Sequence, residues 1–375
     1  MSQKKSANIQ QHFATLTDPR RRKVTYPLIN IVVIAVCAVI CGADDFVAIA
    51  HYGRKKRKWF ARFLDLKDGI PSHDRFNAIL AAIKPAEFEQ CLLSWITALH
   101  DITGGQVIAI DGKTLRRSFD AASGKAAIHM VSAWATTNHI SLGQVVVNAK
   151  SNEITAIPKL LEILDISGSL VTIDAMGCQT KIARNILAGG GDYVLAVKGN
   201  QPTLHQGLAN YFDACLENDF AGVKVRFYQT EEKGHGREET RYYYLCPVPD
   251  NLPDRARWPG LKAIGIAIST TLRDGKECNE VRYYILSKYL AARRFAKAVR
   301  SHWSIENHLH WQLDVTFQED QCRIRKGHAD ANFSILRRTA LAMLKNESTH
   351  KIGIKNKRLA AGWDETYLEQ VLVGT

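Results

Sequence analysis

An α/β fold is what this 375-residue sequence predicts: a mixed sheet carrying helices, with a helical region before it and a β-rich insertion late in the chain. Three observations carry that expectation. Two short apolar runs, Val107-Ile108-Ala109-Ile110 and Leu170-Val171-Thr172-Ile173, each end in an aspartate, Asp111 and Asp174, as strands covered on both faces of a sheet do. Strand and helix patterns alternate over residues 105–215. Residues 217–288 then turn strand-like and charged, as in Val223-Lys224-Val225-Arg226-Phe227 and Arg241-Tyr242-Tyr243-Tyr244-Leu245.

The elements follow in order. Residues 1–100 read as helical, beginning with a basic lead-in that contains Arg20-Arg21-Arg22-Lys23. Residues 28–43 are apolar except for Asn30 and Gly42. At about sixteen residues that run is short of the roughly twenty needed to cross a bilayer, and it starts too far from Met1 for a signal peptide, so a buried helix is expected. Next come Arg54-Lys55-Lys56-Arg57-Lys58 with Trp59, Phe60 and Phe63. Ser72 or Asp74 is placed to cap a helix patterned by Phe76, Ile79, Leu80 and Ile83. Strands are predicted at 106–111, 127–135, 141–147, 170–174 and 193–197, with helices near 155–165, 179–188 and 202–215. Thr137-Asn138-His139 closes a hairpin between the second and third strands. From Ala291 a helical pattern returns through Phe295, Val299, Trp303, Leu309 and Leu313, with Glu306 on the same apolar stripe. A helix near 330–345 and a basic tail over 347–375 finish the chain. The expected units are thus 1–100, then 105–346 interrupted by 217–288, then the tail.

Composition narrows the function. Hydrophobic residues make up 46% of the chain, enough for a substantial core, and a formal charge of +13 points to a polyanionic partner such as DNA, RNA or an anionic membrane. The two basic runs suit phosphate contact, and a solvated helix face explains them equally well. The eight cysteines stand without any C-x-x-C pair, which indicates neither a zinc ribbon nor a disulfide framework and suits a reducing, cytoplasmic setting.

The acids carry the chemistry. Ligands of open α/β sheets lie at the carboxyl ends of strands, where Asp111 and Asp174 fall. A carboxylate such as Glu306 facing a core is costly unless neutralised, and a divalent cation shared with two aspartates would do that. The alternative for either aspartate is an ordinary turn or cap. Hard oxygen ligands suit Mg²⁺ or Mn²⁺, and two such ions can drive an in-line phosphoryl displacement. Lys113 and Lys198 are candidates to reach phosphates at the rim, with ordinary surface exposure as the alternative. Gly199-Asn200-Gln201-Pro202 turns into a helix whose N-terminus favours anions. A zinc site from His302, Glu306, His308 and His310 is the weaker reading, since the spacing is not H-E-x-x-H. Gly234-His235-Gly236-Arg237-Glu238 reads as a hairpin loop, with DNA contact by His235 or Arg237 a second possibility. Trp258 reads as core before it reads as a platform for an unpaired base.

Several motifs in one order resemble a known family. The segments AIDGKTLRRS, TIDAMGCQTKIA, DYVLAVKGNQPTL and HWSIENHLHWQLDVTFQED, with LTDPRRRKVTYPL, CGADDFVAIA and PSHDRF before them, resemble the H-repeat-associated branch of the DDE transposases of bacterial insertion sequences. The resemblance spans nearly the whole chain. It implies a ribonuclease H-like core with a mixed five-stranded sheet and a β insertion before the last acid. Asp111, Asp174 and Glu306 would be the catalytic and metal-binding acids, with Asp111 bridging two Mg²⁺ or Mn²⁺ ions. The implied activity is binding of terminal inverted repeats, then DNA cleavage and strand transfer, by a dimer synapsed on double-stranded DNA without a nucleotide cofactor or a membrane. A DNA-binding relic and a nuclease that cuts without joining are the alternatives. Related transposases place Tyr, Arg and Lys at fixed positions around the last acid, where this chain has Val299, His302 and Leu313. Arg300 and His302 are the candidates to replace the phosphate-binding Arg, and Arg54, Lys55, Lys56, Arg57 and Lys58 are candidates for DNA contact.

Overall fold

The computed structural model describes residues 9–21, 24–99, 106–115, 129–147, 152–234 and 236–373, apart from the side chains of residues 304 and 307. The helical N-terminal region comprises α1 (Ile9–His12), α2 (Leu28–Ile40), α3 (Phe46–Lys55), α4 (Arg57–Phe60), α5 (His73–Ala82) and α6 (Pro85–Leu99). α2 is the apolar run, and its residues from Asn30 to Ile40 are all buried in protein. Asn30, the polar exception, donates to the Asp65 carbonyl at 2.6 Å, which satisfies the one amide the helix carries inward. Among the described residues no helix is long and apolar enough to cross a membrane. Ser72 caps α5 by accepting the Arg75 N–H.

The sheet follows the predicted order. β1 (Val107–Thr114), β2 (His129–Ala135) and β3 (Ile140–Val147) form an antiparallel meander. After α7 (Glu153–Ile163), β4 (Leu170–Ile173) pairs parallel to β1. After α8 (Thr180–Ala188), β5 (Asp192–Val197) pairs parallel to β4, and α9 (Pro202–Glu217) follows. The insertion supplies β6 (Arg226–Gly234), β7 (Arg237–Pro247), β8 (Ala263–Arg273) and β9 (Lys276–Leu286). β9 pairs antiparallel with β5, Val194 opposite Leu286, so the insertion extends the first five strands into one nine-stranded mixed sheet of order β3-β2-β1-β4-β5-β9-β8-β7-β6. β6 and β7 meet in a hairpin at Gly234 and Arg237, and His235 lies outside the described residues.

α10 (Ala292–Ile305) packs across β1 and β4, continues through a π turn (Glu306–His310), and ends in α11 (Trp311–Val315). α12 (Ala329–Asn346) is the central helix: residues 329–344 are all buried, against α2, α5 and α6 on one side and β3 on another. Asn332 donates to the carbonyls of Leu80 and Ile83, stitching it to the N-terminal helices. The expected tail instead folds as α13 (Ile354–Trp363) and α14 (Glu365–Val373). Two of its basic residues turn inward while Lys351 and Lys355 stay exposed: Lys357 donates to the Leu344 carbonyl at 3.0 Å, and Arg358 to the Val39 carbonyl at 3.0 Å and to Asp44 at 3.2 Å. One continuous apolar core joins the N-terminal helices, the sheet and these last helices.

Candidate active site

Strand register brings the first two acids together. Ile110 of β1 stands opposite Ile173 of β4 in parallel pairing, so Asp111 and Asp174, each the next residue, occupy neighbouring positions at one edge of the sheet. Both are half-buried. Asp111 remains in the ladder opposite Ser132 of β2. Asp174 stands where β4 stops, and it accepts the Gly177 N–H at 3.3 Å, so it also serves its turn. That turn is held from the next strand's end: Asn200 donates to the Ala175 carbonyl at 2.6 Å and Gln201 to the Cys178 carbonyl at 3.0 Å. The amides of the Gly-Asn-Gln segment thus fix the loop beside Asp174, a role that its turn-like composition did not reveal.

Glu306 stands where α10 gives way to a departure from α-helical geometry, within electrostatic range of Asp111. The Trp311 N–H bonds back to the Glu306 carbonyl, an i to i+5 closure that widens the helix by one residue. Ile305, Leu309 and Leu313 take the buried positions, and Glu306 is exposed rather than facing the core as its spacing suggested. An uninterrupted period of 3.6 cannot anticipate that change of phase.

The electrostatics are those of crowded carboxylates. The Asp111 carboxyl is pushed up to about 7, by burial first and then by Asp174, Glu153 and Glu306, against a bond from the Gly112 N–H. His310 stands 3.5 Å from Asp111 through Nδ1, but burial and the nearby Arg338 and Lys113 push the imidazole down to about 3, so it brings no positive charge. Among the described residues no Lys or Arg pairs with Asp111 or Asp174, and no three His, Cys, Asp or Glu groups stand close enough to cage a metal ion. The donor chemistry nonetheless fits a hard divalent cation, whose charge would relieve the repulsion. The histidines do not form a zinc set: His302 faces Thr172 at 3.4 Å, His310 faces Asp111, and His308 is exposed.

The basic candidates divide. Lys113 is a correction: it is buried, paired with Asp314 and, at 2.9 Å, with Glu319, and does not reach the rim. Period-two alternation puts it on the face of Asp111, which α10 and α11 cover. His302 is held neutral, its imidazole pushed down to about 4 mainly by burial, so it does not act as a cation. Arg300 is exposed but bonded to Glu232 of β6 at 3.0 Å. With Lys297, Trp303, His139 and His308 it lines a recess of about 410 Å³ on the α10 side. Lys198, Arg54, Lys55, Arg57 and Lys58 are exposed. Lys56 pairs with Glu365 of α14 at 3.1 Å, and Trp59 and Phe60 beside it are core. Arg20 is tied to Asp18, while Arg22 and Lys23 lie outside the described residues. Trp258 is buried, which leaves no face for a base. Arg237 lies 3.7 Å from Glu239.

Residues 10–96 match the model described as DDE_Tnp_1-associated, and residues 102–343 match the transposase DDE domain. The chain belongs to the DDE transposase family. This transposase is 41% identical over 373 residues to the H repeat-associated putative transposase YhhI of Escherichia coli (strain K12), covering 98% of each chain. It is 42% identical over 366 residues to the putative transposase YncI of Escherichia coli O157:H7, covering 96% of this chain and 93% of that one. A piggyBac transposase synaptic complex with hairpin DNA aligns at 10% identity with a TM-score of 0.41, over 98% of this chain and 77% of the other.

One acid beside the site was missed in the sequence. Glu153, the first residue of α7, lies against Gly112 and bonds His129 at 2.6 Å. An acid in the first turn of an amphipathic helix has the ordinary pattern of helix initiation and carries no further signal.

Proposed function

We propose that this transposase cleaves DNA at the terminal inverted repeats of its element and joins the freed 3′ ends to target DNA, with Asp111, Asp174 and Glu306 as its catalytic carboxylates. The observation that carries the reading is the register of β1 and β4, which sets Asp111 beside Asp174, with α10 packed on both strands and Glu306 the next residue after it. The strand order β3-β2-β1-β4-β5, with β2 antiparallel and β4 and β5 parallel to β1, supports a ribonuclease H-like core.

Asp111, Asp174 and Glu306 would be the residues to hold Mg²⁺ or Mn²⁺. Such ions, when bound, supply activation of a water or 3′-hydroxyl and stabilisation of the leaving oxygen. The protein's part is to hold the carboxylates. The Gly177 N–H and the amides of Asn200 and Gln201 fix the Asp174 turn. The ion pairs of Lys113 fix the end of β1 beyond Asp111. Lys198 at the end of β5 and the recess with Lys297 and Arg300 are the phosphate-binding candidates of the catalytic domain. Arg54, Lys55, Arg57 and Lys58 offer a second cationic surface for double-stranded DNA, and two element ends held together call for a dimer. The test is strand cleavage and joining by Asp111→Ala, Asp174→Ala and Glu306→Ala. DNA binding retained with both reactions lost is expected, and full activity in any one of them removes that residue from the catalytic set.

A further inference from the structure

We propose that the recess between the N-terminal helices and the turn that precedes α12 binds backbone phosphates of the duplex on which the protein acts, through Arg323 and Lys326. The proposal rests on the reading of the chain as a DNA-cleaving transposase. It adds a contact surface to the run of Arg54, Lys55, Arg57 and Lys58 and to the recess of Lys297 and Arg300.

The recess measures about 480 Å³ and is lined by Phe46 of α3, Asn77 of α5, and Arg323, Ile324, Arg325 and Lys326 of the turn. Its charged lining is wholly cationic. Phe46 is buried, Arg325 is half-buried, and Arg323 and Lys326 are exposed. Arg20, Lys56 and Arg300 are each taken up by a carboxylate, whereas neither Arg323 nor Lys326 has such a partner among the described residues. A concave surface lined by one sign of charge over apolar walls concentrates positive potential, and a phosphodiester is the anion that this protein's substrate supplies.

The turn is held in place before any ligand arrives. Gly327 has φ +52°, and a Cβ there would lie 2.5 Å from the Ala81 carbonyl oxygen, so glycine is what lets the turn close on the end of α5. The His328 N–H donates to that same carbonyl at 2.9 Å. Behind the recess Phe46 meets Phe333 of α12 edge to face, with ring centroids 5.5 Å apart. The other end of the turn is tied to the strand of Asp111, because Glu319 accepts a 2.9 Å bond from Lys113. The two exposed cations thus stand on a backbone fixed to both the N-terminal helices and β1, so binding a phosphate there orders little more than two side chains.

A basic turn that is merely solvated is separable by experiment. Binding of the full-length protein to a duplex carrying the element's end, and to an unrelated duplex of the same length, is measured across a salt series. Arg323→Ala with Lys326→Ala is expected to weaken both and to flatten the dependence of log affinity on log salt by about one unit for each phosphate released. Lys351→Ala with Lys355→Ala removes the same charge from exposed positions elsewhere and is expected to leave the slope unchanged. Arg323→Gln with Lys326→Gln serves if the Ala variant does not fold. A wild-type slope in the folded variant, or an equal loss in the Lys351 and Lys355 control, overturns the recess and leaves the assignment of the acids standing. A loss confined to the element's end overturns it as well, since phosphates carry no sequence. Wild-type protein that binds neither duplex at low salt overturns both readings.

Discussion

Lys113 lies two residues beyond Asp111 on the same face of β1 and donates a 2.9 Å bond to Glu319, whose side chain is wholly buried. Asp314 and Arg338 extend the pair into a network between the end of β1, the segment after α11 and α12. The strand that presents Asp111 is therefore anchored by a largely buried charge pair, Lys113 with Glu319. Lys113→Met leaves Glu319 without its nearest cation and should cost about 3–5 kcal/mol of stability in urea unfolding. A loss below about 1 kcal/mol would contradict the pairing.

The same network sets an acid limit. Burial alone would raise the Glu319 carboxyl, but Lys113, Arg338 and Arg337 outweigh it and hold the group at about 2, below its ordinary 4.5. A lowered folded-state pKa stabilises the protein above 4.5, and that contribution is lost as pH falls from 4.5 toward 2. Glu319→Gln should flatten the decline of unfolding free energy across that window.

Asp111 gives the opposite sign. Its carboxyl is raised from 3.8 to about 7, so stability without metal falls as pH rises through that interval. Asp111→Asn should be more stable than wild type by on the order of 2 kcal/mol at pH 8 in chelator, with the difference vanishing near pH 4. Equal stability of the two proteins at both pH values would remove the case for a repelled, buried acid.

The Asp174 turn depends on two amides. Replacing Asn200 and Gln201 together by Ala removes bonds of 2.6 and 3.0 Å to the Ala175 and Cys178 carbonyls. Strand cleavage should fall by roughly tenfold to a hundredfold through misplacement of the acid. Unfolding free energy should change by only about 1–2 kcal/mol. A stability loss without a rate loss would make the amides purely structural.

Much of this arrangement is legible in the sequence, and the rest is not for identifiable reasons. The strands that end near Asp111 and Asp174 show as apolar runs because both faces of a central strand are covered. Glu306 shows as an acid on a helix, but neither its exposure nor the π turn that begins at it follows from a pattern of period 3.6. Lys113, Lys357 and Arg358 look like surface cations because their partners, Glu319, Leu344, Glu347 and Val39, lie outside the local pattern. Trp59 and Phe60 look like companions of a DNA-binding run, yet they pack inward while Arg54, Lys55, Arg57 and Lys58 stay outside.

That division makes the basic run testable. Removing the charges of Arg54, Lys55, Arg57 and Lys58 should flatten the dependence of DNA affinity on salt by about one unit of slope for each phosphate no longer neutralised. Lys56→Ala should leave the slope unchanged and cost about 1 kcal/mol or less through its pair with Glu365. An unchanged slope in the fourfold variant would move the DNA path elsewhere, with the recess at Lys297 and Arg300 the next surface to test.

The most direct measurement is cleavage and joining of a labelled DNA carrying the element's own end, with Mg²⁺, with Mn²⁺ and with chelator, by wild type and Glu306→Ala. Metal-dependent joined product from wild type, absent from Glu306→Ala although that variant still binds the DNA, is the expected result. Binding without cleavage by wild type under every metal condition would contradict an active transposase.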